Sequence, residues 1–474
     1  MIKFLPLFAF CSMSFYGLTA AAQTDRISEH LREPMPTQWT MQPEAFQSFP
    51  TEDNWWQTLG DPTLLQLLDM AESNNFDILA TAKRIEAARQ SMNEVRAAYF
   101  PTVNATAGWS KLQNSGRQTA ASVPATDMSY FSLGLSAQWE VDLFGRVAAN
   151  TKASRQAYNA TRAEYAGAMV SLAANVAKAY INLRLYQEQL HVALAHIEQQ
   201  RKVTVIAEAR FEAGLGNMLE VNQARIVLYS TEASLPGIEA MVKTSVNAIA
   251  LLTGRYPNEI VGLLAQNERD LPEITSVFDT GVPLDLLRRR PDIVQSELNM
   301  AQLAAQIGIQ KKDFLPVLSI TGAIGTSAHK ADALFGSHSM TYSVAPQLSW
   351  TIFDGLARNY RVAEAKADFE AAIDSYNLTV MTAVQEVDNA MINYTESLKT
   401  IQLYKKVVEA SHEALKLSME RYKQGLSEFT NVADAQMNYL TYQNSLVSSK
   451  AKTITALISL YEALGGGWNG SLPD

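Results

Sequence analysis

Four segments of the chain alternate apolar and polar residues with a period of two. From Phe131 to Val141 every odd position is apolar, while the even positions are small, polar or charged. Segments with the same alternation cover 103–110, 318–324 and 342–352. This pattern predicts strands with one apolar and one wet face, and a tilted strand of about 9 to 11 residues can cross a bilayer. The pattern also fits a water-soluble sandwich, so alternation alone leaves both possibilities open.

Two much longer stretches favour helices. Between Gly355 and Gly425 there is neither glycine nor proline, which permits a helix of about seventy residues and about 100 Å. Apolar residues in its first half recur in steps of four and three, as in the seam of a coiled coil. A counterpart covers 146–212. Helices of this length cannot bury themselves in one globule, so they are expected to pack side by side as a tube or rod.

The two halves of the chain repeat one pattern. The tetrapeptide that begins at Asn75 returns at Arg290 with an offset of 215 residues, and Trp139 returns as Trp350 with an offset of 211. An offset that changes only once indicates a duplication with one shorter loop. The predicted organisation is an N-terminal extended segment at 23–61, repeat 1 at 62–260 with strands at about 101–142, and repeat 2 at 282–467 with strands at about 316–354.

The first residues predict export. Lys3 precedes an apolar stretch that ends in small residues, so 1–22 is expected to be a signal peptide and Gln23 the mature start. Acylation would need Cys11, but Phe10 stands where a small residue is expected, so an unmodified chain is predicted. After Gln23 no run of about 18 uncharged apolar residues occurs, and no transmembrane helix is predicted. A membrane-spanning part would therefore consist of strands.

Strand count then predicts self-association. An open sheet edge in hydrocarbon leaves backbone groups unpaired at several kcal/mol each, and four strands cannot close a barrel. Two copies would give eight strands around a core filled with side chains, whereas three would give twelve and space for a lumen. The polar alternate face favours a wet lumen, and hence at least three copies.

Composition and charge narrow the functional classes. Among 474 residues, 39 Lys and Arg face 48 Asp and Glu, which gives a net charge of -9 and argues against nucleic acid as a partner. One cysteine and six histidines without ligand spacing predict no metal and no cofactor. No nucleophile, base and orienting group recur at usable spacing, so no enzyme is expected. Glu140 and Asp142 form the nearest carboxylate pair, and we expect them to lie on a solvated wall.

Four segments in a fixed order resemble the outer-membrane efflux factors, the TolC- and OprM-like family, in its NodT-type branch. They are Trp55-Trp56 with Gly60-Asp61-Pro62, the run from Trp139 to Arg146, the run from Leu286 to Ile293, and the run from Trp350 to Gly355. This resemblance implies a mixed α/β membrane protein: a homotrimeric TolC-like duct with four strands per chain in a twelve-stranded transmembrane β-barrel. The barrel would sit in outer-membrane lipid and continue into a long α-helical barrel in the periplasm.

The resemblance also implies partners. The duct would dock onto a periplasmic adaptor, a membrane fusion protein, and onto an inner-membrane pump of the RND type. Two departures are visible: many members of this branch carry a lipobox cysteine that this chain lacks, and the turn sequences differ in detail.

The arginine motif before the second repeat is interpreted as structural. It consists of Arg288, Arg289, Arg290, Pro291 and Asp292. Proline disfavours helix at the preceding residue, so a helix should begin here, and the arginines should cap carbonyls or pair with acids of neighbouring helices. The alternative is a phosphate patch.

Two turns, each at the end of a long helix, form the candidate adaptor contact. Gly214 and Gly425 stand where a helix C-cap is expected, and each is followed by a leucine with no reason to be buried. The adaptor contact of the family lies at these turns. The predicted contact residues are Gly214, Leu215, Gly216, Gly425, Leu426 and Ser427. The alternative is that they are hairpin tips and nothing more.

A gate is predicted just beyond the second turn. Asp434 corresponds to Gln223 in the first repeat, so a trimer would carry three acids in alternate positions around the tube end. In the family an aspartate at the matching position, with a leucine one turn earlier, narrows the periplasmic entrance; here Thr430 stands in place of the leucine. The alternative is a surface carboxylate paired with Arg421, Lys423 or Arg210.

These features predict a passive exit duct of a tripartite efflux pump, which exports drugs or other small toxic compounds delivered by its partners. Alternatives with the same architecture are a duct for type I protein secretion and a duct for metal-ion efflux. An alternative of another class is a secreted periplasmic coiled-coil scaffold, which the amphipathic strands argue against. The sequence does not identify the substrate, because a duct need not carry a specificity pocket.

Overall fold

The structure is a computed structural model that describes residues 55–113, 127–266 and 290–468, with residues 31, 32, 36, 39, 47, 48, 271, 272, 278 and 279. The predicted signal peptide with Cys11, the mature start at Gln23, and the arginines Arg288 and Arg289 lie outside the described residues.

Long helices dominate the described part of the chain. In chain order the helices are α1 Pro62–Asn74, α2 Phe76–Ala97, α3 Arg146–Glu212, α4 Met218–Leu252, α5 Pro257–Gln266, α6 Pro291–Lys312, α7 Ala357–Lys423 and α8 Phe429–Ala463. Both α3 and α7 have 67 residues, which corresponds to about 100 Å. The prediction of two very long helices is confirmed.

The helices recur at the offsets that the sequence shows. Helices α2 and α6 have 22 residues each and begin 215 residues apart. The pairs α3 and α7, with 67 residues each, and α4 and α8, with 35 residues each, begin 211 residues apart. We call α3 with α4 hairpin 1, and α7 with α8 hairpin 2.

The described residues form six strands, four of which make one antiparallel sheet. The strands are β1 Gln47–Ser48, β2 Thr102–Gln113, β3 Asp127–Val141, β4 Phe278–Asp279, β5 Val317–Ala328 and β6 Met340–Ser349. The sheet has the order β2-β3-β5-β6, and β1 pairs with β4 separately in parallel. Repeat 1 therefore contributes β2 and β3 and repeat 2 contributes β5 and β6, each as a hairpin.

The register gathers the apolar residues on one face of the sheet. Ala105 lies opposite Leu135, Leu135 opposite Ile324, and Ile324 opposite Tyr342. The adjacent row of residues across the four strands, which begins at Asn104, consists of small and polar residues and faces the other side of the sheet. The predicted period-two strands are confirmed, and together they make one continuous apolar surface.

Strand β6 is shorter than the alternation predicts, and this part of the prediction is wrong. Trp350 and Ile352 lie beyond its end at Ser349, in the connection to α7. The Thr351 carbonyl accepts a hydrogen bond from Arg358, and the Trp350 indole donates to the Phe314 carbonyl at 2.9 Å. The chain leaves the ladder here, and the Thr351 carbonyl accepts from a side chain at the start of α7 instead of from a neighbouring strand.

The main core lies where α1, α3, α4 and α8 meet. The buried Trp55 ring stacks on Tyr461 at a centroid distance of 4.8 Å. Asp61 caps α1 by accepting from the Thr63 amide at 2.8 Å, and it also accepts from the Tyr180 hydroxyl. Burial raises the pKa of Tyr180 to about 12, so the hydroxyl remains a donor. These contacts fix the N-terminal helix to the long helix α3.

One described helix, α4, is long and apolar enough to cross a membrane by length and composition, although only 22% of its most apolar window is buried. It packs along α3 as α8 packs along α7. By this packing and by the repeat, α4 is the counterpart of α8 and forms the second arm of hairpin 1.

Candidate functional site at the helix tips

The turn of hairpin 1 closes with two backbone hydrogen bonds. Gly214, with a φ of 71°, donates to the Phe211 carbonyl at 3.0 Å, and Leu215 donates to the Arg210 carbonyl at 2.8 Å. This is a Schellman motif, in which the residue after the helix must adopt a left-handed conformation, and glycine does so at little cost. Asn217 then caps α4 by accepting from the Glu220 amide.

The turn of hairpin 2 has the same geometry. Gly425, with a φ of 73°, donates to the Tyr422 carbonyl, and Leu426 donates to the Arg421 carbonyl, both at 2.9 Å. The residues that follow the glycines are exposed: Leu215 by 68% and Leu426 by 63%. Both leucines therefore stand at the end of the helices without a contact in the core.

The remaining predicted tip residues lie within the same turns. A Cβ atom added to Gly216 would lie 3.0 Å from the Glu220 carboxylate, so little space exists for a side chain there. Ser427 accepts a hydrogen bond from the Asn431 amide group at 2.9 Å. The structure thus brings three predicted residues together at each of two tips.

A small core joins the two hairpins directly behind the turns. We call it the tip cluster, and it consists of Val203, Ala207, Ala224, Val227, Tyr422, Phe429, Val432 and Ala433. Tyr422 and Phe429 are almost fully buried and meet edge to face at 5.3 Å. Such aromatic pairs stabilise a core by about 0.5–1.5 kcal/mol beyond the area they bury. The tip cluster holds hairpin 1 against hairpin 2 within one chain.

Arg210 braces both turns. Its guanidinium donates to the Leu215 carbonyl at 3.1 Å and to the Lys423 carbonyl at 3.2 Å, and it lies over the Tyr422 ring at 4.9 Å. The Tyr422 hydroxyl donates to Glu220 at 2.8 Å, and burial together with this carboxylate raises the pKa of Tyr422 to about 12. Sequence reasoning treated Arg210 only as a possible partner of Asp434 and missed this role. The sequence does not single out Arg210, because the second repeat also has an arginine, Arg421, at the equivalent position.

The predicted gate residues are exposed on the first turns of α8. Asp434 makes no ion pair with another described residue, so the alternative of a pair with Arg421, Lys423 or Arg210 does not occur within this chain. Asp434 lines a groove of about 660 Å³ between α7 and α8, together with Arg421. Thr430 lies one turn earlier, with its hydroxyl 3.4 Å from Glu428.

The described part of the arginine motif lies far from the tips, beside the end of α8 and the middle of α7. Arg290 donates to both carboxylate oxygens of Asp292 at 2.6 and 3.0 Å and to the Ala463 carbonyl at 2.9 Å, and it pairs with Glu386 at 2.7 Å. Pro291 is the first residue of α6. Arg290 therefore caps one helix and pairs with the acid of another, as the structural interpretation of the motif predicts.

Two carboxylates expected on a solvated wall instead hold the junction between β3 and α3. Glu140 binds Arg146 through two hydrogen bonds of 2.6 and 3.0 Å. Asp142 accepts from the backbone amides of Val147 and Ala148 at 3.0 and 2.9 Å. The unsatisfied amides of a helix N-terminus attract such a carboxylate, so the expectation of a solvated wall is wrong for these two residues.

A polar layer separates the tip cluster from the main core along the contact of α3 with α8. The buried His196 places Nε2 2.6 Å from Oε1 of Gln443, and the Tyr439 ring lies 5.1 Å from the rings of His196 and of His412. Burial lowers the pKa of His196. The described residues contain no group of three or more His, Cys, Asp or Glu that could hold a metal ion.

A four-stranded sheet with one apolar face that continues into two long helical hairpins is the fold of TolC-like outer-membrane channels. The family model for the outer membrane efflux protein matches residues 67–255 and 282–466, and the chain belongs to this family. The protein is thus an outer-membrane component of an efflux pump, located in the outer membrane with its helices in the periplasm. The resemblance in the sequence motifs is confirmed.

Three known proteins illustrate the similarity. The chain is 30% identical over 412 residues to the solvent efflux pump outer membrane protein SrpC of Pseudomonas putida, which covers 86% of each chain. It is 28% identical over 417 residues to the outer membrane protein OprJ of Pseudomonas aeruginosa, which covers 88% of this chain and 86% of OprJ. The solved outer-membrane channel OprN superposes with a TM-score of 0.85 at 30% identity, over 92% of this chain and 98% of OprN.

The polar layer predicts an acid-sensitive helix contact. Because burial lowers the pKa of His196 from its ordinary 6.5, the unfolded chain binds a proton at a higher pH than the folded chain does. Neutral His196 therefore contributes its full share to the free energy of unfolding above about pH 6.5, and this share falls as the pH drops below that value. In detergent, the apparent unfolding temperature should fall less between pH 7.5 and pH 5.5 in His196→Gln than in the wild type, because glutamine does not titrate. The control is His412→Gln, an exposed histidine, and equal losses in wild type and His196→Gln would contradict the prediction.

Proposed function

We propose that three copies of the chain assemble into an outer-membrane exit duct. In one copy β2 and β6 are the edges of the sheet, and every side chain on both strands is exposed. The apolar face carries exposed residues that include Val103, Tyr342 and Val344. In hydrocarbon each edge must find a partner, and pairing β6 of one copy with β2 of the next satisfies both edges in a closed barrel of twelve strands.

The observation that carries the proposal is the continuity of this open sheet with helices of about 100 Å. Short junctions connect β3 to α3 and β6 to α7, so closing the strands into a barrel brings the helices of all copies side by side. Twelve helices would then continue the wall of the barrel as a helical tube, with the turns at its far end.

The duct is proposed to work with an inner-membrane pump of the RND type and a periplasmic adaptor. The names of the relatives support small toxic compounds as the cargo: SrpC belongs to a solvent efflux pump, and ArpC of Pseudomonas putida, 27% identical over 442 residues, belongs to an antibiotic efflux pump. The duct itself would be passive, and the pump would supply the energy.

The assembly is tested in outer-membrane fractions. We expect the protein to run as a trimer on gels of unheated samples and as a monomer after heating. Deletion of its gene should raise susceptibility to solvents or drugs, and the wild-type gene should restore resistance. Protein recovered only from the soluble periplasm would contradict the duct and favour the coiled-coil scaffold.

The tips are proposed as the adaptor contact. Leu215 and Leu426 are exposed apolar side chains at the extreme ends of the two hairpins, and exposed apolar residues favour a protein contact. Beside them Gly214 and Gly425 are exposed, and Gly216 and Ser427 are half-buried.

Charged residues at the tips should prevent binding of the adaptor. We expect Leu215→Asp combined with Leu426→Asp to abolish drug resistance and cross-linking to the adaptor, because two carboxylates would have to be desolvated in the contact. Trimers should remain intact, since neither leucine belongs to the tip cluster. The matched control is Leu215→Met with Leu426→Met, which keeps apolar side chains and should keep resistance. Loss of the trimer in the Asp variant would show that the leucines are core residues.

Asp434 is proposed to form an acidic ring at the periplasmic entrance, with Thr430 one turn away. The carboxylate is exposed and has no ion-pair partner among the described residues, so its charge is available to ions. Its repeat equivalent Gln223 is neutral, and three acids would therefore alternate with three amides around the end of the tube. Three like charges at a constriction attract cations and repel one another.

Removing the charge should change conduction. Wild-type trimers in planar bilayers should show a low, cation-selective conductance, and Asp434→Ala should raise the conductance and reduce the selectivity. The control Gln223→Ala removes a neutral side chain at the equivalent position and should keep cation selectivity. Unchanged conductance and selectivity in Asp434→Ala would rule out the acidic ring.

A further inference from the structure

The polar face of the four-stranded sheet changes in character toward the end that lies farthest from the helices. From the row that begins at Asn104 to the row that begins at Gly108, every residue on this face is Gly, Ala, Ser, Thr or Asn. A side chain at Gly325 would collide with the opposite strand, because an added Cβ atom would lie 2.6 Å from the Leu133 carbonyl oxygen. Over these three rows the wall therefore carries small side chains.

Larger side chains follow on the next two rows of the same face. Ser110 pairs with Tyr130, and Leu112 pairs with Met128. Tyr130 is the one aromatic residue that the described strands of the sheet carry on this face. His329 follows directly after β5, and the centroid of its ring lies 4.9 Å from that of Tyr130. We call Leu112, Met128, Tyr130 and His329 the outer cluster.

The outer cluster lies at the end of the sheet that faces the cell exterior. The strands β3 and β6 continue into the long helices from their opposite ends, and the helices lie in the periplasm. On the apolar face at the level of the cluster, Trp109 and Phe131 meet at a centroid distance of 6.5 Å, and Trp109 is 62% exposed. Aromatic girdles of this kind mark the edge of the lipid-facing band of a barrel. The outer cluster therefore stands at the outer mouth, on the face directed away from lipid.

The polar atoms of the cluster are already engaged. The Tyr130 hydroxyl donates to the Met128 sulfur at 3.0 Å, and Nδ1 of His329 donates to the Ser129 carbonyl at 3.2 Å. Tyr130 is half-buried and His329 is exposed, so ring faces and hydrocarbon remain accessible. Aromatic rings prefer offset-stacked or edge-to-face contacts with other π systems, and thioethers also make favourable contacts with rings. The surface suits flat aromatic molecules better than strongly hydrogen-bonding ones.

We propose that the outer cluster is a binding site for planar aromatic compounds, which they contact last on their way out of the duct. The inference rests on the proposed trimer, in which three copies place three outer clusters around one lumen. It narrows the proposed cargo from small toxic compounds in general to a class that this site retains.

Barrel size indicates how such a site works. A closed barrel of twelve strands, about 4.8 Å apart and tilted by about 40°, has a backbone diameter of about 24 Å. Three outer clusters on this circumference are too far apart to enclose one small molecule, so each binds on its own and holds its ligand weakly. Weak binding suits a conducting pore, because a ligand that enters must also be able to leave.

Protection of a cysteine tests the site directly. Ser132→Cys places a thiol on the same face of β3, one row inward from Tyr130. Cys11 is the single cysteine of the chain and lies in the predicted signal peptide, so the new thiol can be labelled specifically. Purified trimers in detergent are treated with a small cationic methanethiosulfonate, and the labelling rate is followed by intact-mass measurement. The probe is 2-naphthylmethylamine, and its control is the fully hydrogenated analogue at the same free concentration.

The naphthyl probe should slow the labelling of Ser132→Cys, and the saturated analogue should not. Tyr130→Phe keeps the ring and should keep this protection. Tyr130→Leu keeps an apolar side chain without a π face, and it should raise the concentration for half protection by roughly 2- to 10-fold, the size of a lost aromatic contact. Phe131→Leu, on the apolar face, is the matched control and should leave protection unchanged.

Three results would count against the site. Equal protection by the naphthyl probe and its saturated analogue would overturn aromatic recognition, since a purely steric ring does not distinguish them. Unchanged protection in a trimeric Tyr130→Leu protein would overturn the role of the outer cluster. Absence of labelling in a trimeric Ser132→Cys protein without probe would overturn the placement of this face in the lumen. A monomer in size-exclusion chromatography would instead refute the proposed trimer itself, so the two failures are distinguishable.

Discussion

Unpaired backbone groups at the sheet edges are the constraint on which the rest of the structure depends. The apolar face from Ala105 to Tyr342 suits hydrocarbon, yet β2 and β6 end the sheet with open hydrogen-bonding groups. Because each unpaired group in lipid costs several kcal/mol, one copy cannot remain alone in a membrane. The need for further strands leads to the proposed trimer, in which the long helices would come together as a tube.

Duplication explains how one chain supplies two equal parts of such a tube. The junctions show this best: the Trp139 indole donates to the Tyr99 carbonyl at 3.0 Å, and the Trp350 indole donates to the Phe314 carbonyl at 2.9 Å. The two equivalent bonds hold the strands to the helices in the same way in both repeats. The proposed gate lies at the tips, where the repeats differ at Asp434 against Gln223 and at Tyr422 against Phe211.

Much of the candidate site could be predicted from the sequence, because turns at helix ends have strong local signals. Gly214 and Gly425 adopt left-handed conformations where the pattern places them, and the leucines after them are exposed. The brace formed by Arg210 could not be predicted, since it binds the Lys423 carbonyl across 213 residues of sequence. The polar layer at His196 was missed for the same reason, because its partners Gln443 and Tyr439 belong to the other repeat.

The sequence by itself determined the elements and their order. Period-two alternation, glycine-free stretches and a constant offset are local or repetitive signals, and α3 begins and ends where they predict. Tertiary structure alone decided which polar groups meet. Asp142 accepts from the first amides of α3, Glu140 pairs with the Arg146 side chain, and the Arg358 side chain donates to the Thr351 carbonyl. These contacts exist only after strand and helix have joined. Such contacts depend on the distance between groups in the folded chain, which residue spacing does not encode.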